Sequence, residues 1–311
     1  MSAPTRPARL KVGVVSAGRV GSVLGAALAR AGHTVVAASG LSRESLRRAE
    51  DLLPDVPILP PDEVARRADL VLLALPDDAL AGMTRGLAAA GVLRAGQIVV
   101  HTSGAHGVDV LAPATALGAL PLALHPAMTF SGRSEDLQRL EACCFGVTAS
   151  AGGGADDGAD SGDNEAAWHV GEALVMEMGG EPVRVPQEAR PLYHAALAHG
   201  ANHLVTLVAE CLELLRSAGI APAERLLGPL LSAALDNALR HGDRALTGPV
   251  ARGDVGTLDV HLRVLAERAP DALPGYVALA RRTAARALAA GLLSPGDGER
   301  VLTELDRGGA P

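Results

Sequence analysis

With 311 residues, 48% of them hydrophobic, the chain is long enough for one large or two ordinary domains. A net charge of −7 leaves no basic face for nucleic acid, and one Trp, two Tyr and two Phe mean that the cores must be built from Ala, Leu and Val. Lys11 is the sole lysine and stands ahead of the first apolar run, so a Walker loop and a pyridoxal Schiff base are both excluded.

In chain order, "KVGVV" predicts a strand, Arg19 to Ala31 a helix, "TVVAA" a strand and Ser42 to Leu53 a helix. "ADLVLLALP" is an unbroken apolar run, as in a strand buried on both faces; "GQIVVH" and "GALPLALH" follow at helix-length spacing. "CCFGVTAS" and "EPVRVP" extend the series. Strands alternating with helices point to an α/β domain, a Rossmann-like, doubly wound and mostly parallel sheet. Residues 151–167 are Gly, Ala, Asp and Ser without apolar period and read as a disordered, solvated insertion, with a calcium-binding repeat as the alternative. From Glu188 the strand signals stop: Glu188 to Ala218, Pro222 to Leu239, Gly256 to Glu267, Pro274 to Ala290 and Pro295 to Leu305 read as helices broken by Gly and Pro. The expected division is residues 9–186 for a nucleotide-binding domain and 187–311 for an all-α domain that serves substrate and dimerisation. No run reaches the roughly 18 apolar residues of a membrane span. The N-terminus is too short for a signal-peptide core, and Cys143, Cys144 and Cys211 fit reduced, buried thiols of a cytoplasmic protein.

After the first strand comes "SAGRVG", in which Ser16 stands where the first glycine of G-x-G-x-x-G belongs. Gly18 and Gly21 keep the places that admit a pyrophosphate and let helix and strand pack closely. Ser16 can make the turn with negative φ, and its hydroxyl can reach a phosphate; Arg19 and Val20 open the helix beside it. At the end of the second strand, where an NAD site carries a carboxylate for the ribose 2′-OH, the chain has Ser39, Ser42 and Arg43. Serines and a guanidinium suit a 2′-phosphate, which favours NADP(H).

"HTSGA" (101–105), "HPAMTF" (125–130), "YHAALAHGANHLVTL" (193–207) and "LTGPVARGDVGTLDVHL" (246–262) occur in register. On these four motifs the chain resembles the bacterial two-domain family that pairs a Rossmann-like NADP-binding domain with the helical domain of unknown function 2520. The resemblance covers nearly all of the chain except the insertion. It is similar in turn to the 6-phosphogluconate and β-hydroxyacid dehydrogenases, ketopantoate reductase and the deazaflavin-dependent NADP reductases. The resemblance implies an oxidoreductase and a homodimer through the helical domains; it does not supply a substrate, though some relatives have been linked to ketopantoate reduction. Ser16 departs from the family's glycine.

Ligands of doubly wound sheets bind beyond the carboxyl ends of the strands. Leu75, Pro76 and Asp77 would run beside the nicotinamide ribose. Ser103 and Gly104, with the amides of a helix opening near Gly107, would bind a substrate carboxylate, and His125 sits at the same edge. On the long helix His199, Asn202, His203 and Thr206 form one polar stripe, with His194 near its border. The β-hydroxyacid dehydrogenases use a helix lysine followed by asparagine, and this chain has no such lysine. "H-x-x-N" of His199 and Asn202 has that spacing, so His199 or His194 becomes the proton donor, with a reference pKa of about 6.5, and Asn202 orients the oxygen. Without the H-E-x-x-H glutamate or a third ligand, no metal is expected. Arg252, Asp254 and Thr257 form a further loop, read as substrate-facing with an Asp-capped turn as the alternative. The expected function is NADP(H)-dependent reduction of a small, carboxylate-bearing carbonyl or hydroxy compound, C=O or C=N left open. The rivals are a non-catalytic NADP(H) sensor and a deazaflavin-dependent NADP reductase.

Overall fold

The computed structural model describes residues 9–149 and 161–308, the side chains of 161–164 excepted. The chain divides into two compact units, residues 1–200 and 201–311. The first holds a seven-stranded sheet: β1 (Lys11–Val15), β2 (Thr34–Ala38), β3 (Leu70–Leu73), β4 (Ile98–His101), β5 (Leu120–Pro126), β6 (Cys144–Thr148) and β7 (Glu181–Arg184). Their order is β2-β1-β3-β4-β5-β6-β7, parallel except where β6 runs antiparallel to β5. The chain reverses between β1 and β3, which opens a crevice at their carboxyl ends. Eight helices go with this sheet: α1 (Arg19–Arg30), α2 (Arg43–Leu52), α3 (Pro61–Arg67), α4 (Asp77–Ala89), α5 (Ala112–Thr115), α6 (Glu135–Arg139), α7 (Ser161–Glu177) and α8 (Arg190–Ser217), the last running on into the second unit.

The central strands are apolar apart from Lys11 and His101 at their ends because helices cover both faces: Val12, Val14, Leu70 and Leu72 pack into one cluster, Val15, Val71, Leu73 and Val99 into the other. α1 lays Val23, Leu24, Ala27 and Leu28 against the first cluster. It ends where Gly32 takes positive φ. Every predicted strand is present. The insertion divides: residues 150–160 lie outside the described residues, whereas 161–167 are the first two turns of α7. Ala167 is buried and Trp168 nearly so, in contact with the Arg184 guanidinium 4.0 Å away, so tertiary packing orders a segment that composition assigned to solvent. The thiols also differ from expectation, since Cys143 is buried, Cys144 exposed and Cys211 half-buried.

The second unit contains α9 (Ala223–His241), α10 (Pro249–Arg252), α11 (Val255–Arg268), α12 (Leu273–Ala289) and α13 (Pro295–Gly308). Its core is Leu258, Leu262, Ala280, Ala284, Ala287, Val301 and Leu305, so small alanines let α12 pack closely. Leu226, Leu230, Leu235 and Leu239 of α9 remain exposed, as do Leu204 and Val205 of α8. Among the described residues no helix is long and apolar enough to cross a membrane. The chain's change of composition at 186 and its division at 200 differ because α8 begins inside the sheet domain, held there by Arg190.

Candidate active site

The crevice beyond β1, β2 and β3 holds a cleft of about 800 Å³. Its floor is the loop from Ser16 to Gly18, and Leu75 and Pro76 form one wall. Ser39 to Ser42, Ser45 and Arg48 form the other, with Leu41, Ile58, Leu59, Ala79 and Met83 apolar around them. Ser16 has φ of 74°, against the negative value expected from a serine. The turn demands the left-handed region, and two bonds hold the residue there. The Ser16 amide donates to Ser39 Oγ at 2.9 Å, and the Ala17 amide donates to the Ser39 carbonyl at 2.7 Å. Ser39 is thereby committed to the loop as an acceptor.

The two later glycines answer to different needs. A Cβ on Gly21 would stand 2.2 Å from the Ser16 carbonyl, so the fold itself requires glycine there. A Cβ on Gly18 would meet only Ser16 Oγ, at 3.8 Å, and its φ of −75° suits any residue. Gly18 therefore keeps empty a space at the N-terminus of α1 that none of the described residues fills. A dinucleotide pyrophosphate fits there, facing unpaired helix amides.

Ser42 caps α2 by accepting from the Ser45 amide, and Arg43 is the exposed first residue of that helix, outside the lining of the cleft. Arg48 lines it instead, half-buried and paired with Glu44 at 3.3 Å. A turn beyond β5 holds it there. Fully buried Asp136 accepts from the amides of Ser131 and Gly132 at 2.8 and 2.7 Å, and Gly132, with φ of 78°, lies against the stems of Arg48 and Arg19. Sequence reading missed Arg48; the only signal was an arginine pair, Arg47 and Arg48, one turn into the helix from Arg43. Val20 packs against the core, and Arg19 is exposed at the start of α1. Asp77 opens α4 directly after Pro76.

Farther along the same sheet edge, β4 and β5 end beside the first turn of α8. Arg190 is fully buried and, among the described residues, has no carboxylate partner. Its Nε donates to Thr148 Oγ1 at 2.8 Å, Nη1 to the Ser103 carbonyl at 3.0 Å, and Nη2 to the carbonyls of Ala123 and Gly146 at 3.0 and 2.8 Å. These bonds fix Tyr193 and His194 over the sheet. The Tyr193 hydroxyl lies 2.8 Å from His125 Nδ1, and the rings of His125 and His194 are 6.0 Å apart. A Cβ on Gly104 would stand 2.7 Å from His194 Cδ2 and 2.9 Å from His125 Nε2, so only glycine admits the two imidazoles, which pack onto its backbone. Burial, then the Arg190 and His194 charges, lower His125 to about 4 against a pull upward from Asp77. His101, sealed beneath, is lowered to about 3 chiefly by burial; it contacts the Gly107 carbonyl at 3.0 Å and accepts from the Ser103 amide at 3.2 Å.

The loop after β4 does not offer the expected carboxylate cradle. Ser103 Oγ accepts from the amides of Ala105 and His106, and Gln187 Oε1 takes the Val108 amide at 2.8 Å where a short 3-10 turn begins. Its donors are consumed by the loop's own fold. On α8 the structure brings His194 to the sheet edge; His199, Asn202, His203 and Thr206 follow on later turns and are exposed. In the second unit Asp254 caps α11, accepting from the Thr257 amide at 3.1 Å and hydroxyl at 2.7 Å, and Arg252 donates to the Thr247 carbonyl of its own loop. Locally these are capping residues. Among the described residues no three His, Cys, Asp or Glu side chains are grouped to hold a metal ion.

A Rossmann-like domain model matches residues 1–126, and the model of the domain of unknown function 2520 matches residues 160–283. The chain belongs to the family that joins these two domains. No curated protein matches its sequence. Among solved structures it is similar to a Bacteroides fragilis protein provisionally described as an NADP oxidoreductase, at 23% identity and TM-score 0.69, over 88% of this chain and 98% of that one. A Thermotoga maritima protein, whose name states no activity, has 16% identity and TM-score 0.62 over 90% and 99% of the two chains. An imine reductase of Myxococcus stipitatus in complex with NADP+ has 16% identity and TM-score 0.57 over 83% and 88%. At such identities the likeness is one of fold.

Proposed function

We propose that this protein is an NADP(H)-dependent oxidoreductase that reduces a small, carboxylate-bearing carbonyl compound of the ketopantoate kind, or oxidises the matching alcohol. The observation that carries the reading is the space at Gly18, which neither backbone conformation nor packing requires, at a helix N-terminus on the floor of the cleft. The pyrophosphate would lie there, the adenine among Leu41, Ile58, Leu59 and Met83, and the 2′-phosphate against Ser42, Ser45 and Arg48, with Arg43 beside them. The solved structures of like fold include one described as an NADP oxidoreductase and one that holds NADP+, which supports the same cofactor here.

The nicotinamide, when bound, supplies or accepts hydride. The chain's own part falls to the sheet edge, where the Arg190 charge draws a carboxylate and His194 exchanges the proton with the substrate oxygen. His199 with Asn202 is the alternative donor pair farther along α8. The exposed leucines of α8 and α9 support a homodimer through those helices, with sedimentation at micromolar concentration as the check. Fluorescence titration tests the cofactor: NADPH is expected to bind at least about tenfold more tightly than NADH, about 1.4 kcal/mol. Equal affinities, or no binding, would sink the reading.

A further inference from the structure

We propose that the turn at Ser131 and Gly132, closed by buried Asp136, selects the dinucleotide: it seats the Arg48 guanidinium for the 2′-phosphate of NADP(H), and Asp136 is a positioning residue for that choice. This selection rests on the dinucleotide reading of the cleft and adds to it the device that tells a 2′-phosphate from a 2′-hydroxyl.

Charge in the cleft is scarce. Arg48 is the one charged side chain among the described residues that line it. The serines beside it are committed to the start of α2. Ser42 Oγ accepts from the Ser45 amide at 3.1 Å, while Ser45 Oγ accepts from the Ser42 amide at 3.1 Å and donates to the Ser42 carbonyl at 2.8 Å. Arg43 and Arg47 of the same helix are exposed and outside the lining. Recognition of a dianion in the cleft therefore falls to Arg48.

An arginine on an open helix surface samples many rotamers, and a ligand that binds one of them bears the entropy of fixing it. Here the fold does the fixing. The point where a Cβ would stand on Gly132 lies 2.8 Å from Arg48 Cδ, 2.9 Å from Arg48 Nε and 2.9 Å from Arg19 Cγ, so the glycine backbone is seated on both stems, one from α2 and one from α1. Glycine is needed there twice over, since its φ is 78° and any Cβ would push the stems aside. Glu44 Oε2 meets Arg48 Nη2 at 3.3 Å, but that carboxylate is 79% exposed. A pair so open to water is weak and does not withhold the cation from a phosphate.

The turn is itself held by α6. Asp136 is fully buried, and its Oδ2 accepts from the amides of Ser131 and Gly132 at 2.8 and 2.7 Å. Its Oδ1 accepts from the Ser131 hydroxyl at 3.1 Å and from Arg139 Nη1 at 3.3 Å. Both oxygens are thus occupied by residues 131–139, and Asp136 acts on the cleft only through Gly132 and the Arg48 stem.

Calorimetric titration of the full-length chain with NADPH, NADH, adenosine 2′,5′-bisphosphate and 5′-AMP reads the choice without turnover. Gly132→Ala presses on two flexible stems, so it is expected to fold with a lowered melting temperature. It should weaken NADPH and adenosine 2′,5′-bisphosphate at least about fivefold and leave NADH and 5′-AMP within about twofold. Asp136→Asn, which removes one acceptor oxygen at constant size, should shift the same ratio in the same direction; if it does not fold, Gly132→Ala carries the test. In an Arg48→Ala background Gly132→Ala should weaken NADPH no further, because the interaction it disturbs is already gone. Equal losses for NADPH and NADH would make the turn a support of the whole cleft. Unchanged NADPH affinity, or a loss that adds to that of Arg48→Ala, would make it a bystander. Each of these overturns the proposal and leaves the dinucleotide reading standing, whereas a wild-type chain that binds neither NADPH nor NADH overturns both.

Discussion

At the scale of single residues, Ser16, Gly18, Gly21 and Arg48 have separate parts in the loop after β1 and the cleft above it. Ser16 sits in a conformation that costs an L-residue about 1–2 kcal/mol, partly offset by the Ser39 hydroxyl that holds it. Ser16→Gly is expected to stabilise by about 0.5–1 kcal/mol, because the gain in the folded state exceeds glycine's extra freedom in the unfolded chain; a fall in melting temperature would mean that the hydroxyl itself supports the loop. Gly18→Ala should leave the melting temperature unchanged and abolish NADPH binding, whereas Gly21→Ala should destabilise by about 2 kcal/mol or more through its clash with the Ser16 carbonyl. Thermal melts and titrations on the same samples separate the two. Arg48→Ala should cost NADPH about tenfold in affinity and NADH little, and Arg43→Ala less than Arg48→Ala, since Arg48 alone of the two lines the cleft. The opposite ranking would return the 2′-phosphate to Arg43.

At the scale of elements, α8 matters most. Its first turn is anchored by a buried guanidinium whose partners on β5, β6 and the loop after β4 are three carbonyls and one hydroxyl, an arrangement only a planar fork can satisfy. Arg190→Met would strand those acceptors in the interior and is expected to cost about 3 kcal/mol or more. Arg190→Lys should recover little of that loss, because one ammonium cannot span the set. Denaturant unfolding measures both, and a lysine variant as stable as wild type would show that charge rather than geometry is what the site needs. The sequence made the helix plain through its length and its "YHAALAHGANHL" run. It gave no sign that Arg190 would be buried, because arginine beside proline at a helix start looks like a solvated residue.

At the scale of the whole molecule, the buried histidines tie stability to pH. His101 and His125 are lowered to about 3 and about 4, so between those values and the unfolded reference of about 6.5 the unfolded chain binds protons that the folded protein refuses. Stability is therefore full above pH 6.5 and falls as pH drops below it, with a slope from these two groups that approaches about 2.7 kcal/mol per pH unit near pH 5. His101→Asn should roughly halve that slope in denaturant titrations at pH 5 to 6.5. A stability that is flat across that range would mean the two rings titrate normally.

What the sequence determined by itself is what depends on local pattern: every strand, the five long helices after Glu188 though not the short α10, and the glycine loop between β1 and α1. Apolar periodicity and Gly or Pro punctuation act over a few residues, and they are legible one stretch at a time. It also placed His125, Ser103, Gly104 and His194 as candidates on three separate motifs. Only the tertiary structure decided which of them meet. Strand order sets β4, β5 and β6 side by side, and the Arg190 bonds bring His194 and Tyr193 onto His125 and leave His199 and Asn202 on later turns. The same long-range packing moved Arg48 into the cleft, turned the expected cradle after β4 inward through Ser103 and Gln187, and ordered residues 161–167 as helix. Each of these rests on contacts between residues distant in sequence, whose free energy no short window contains.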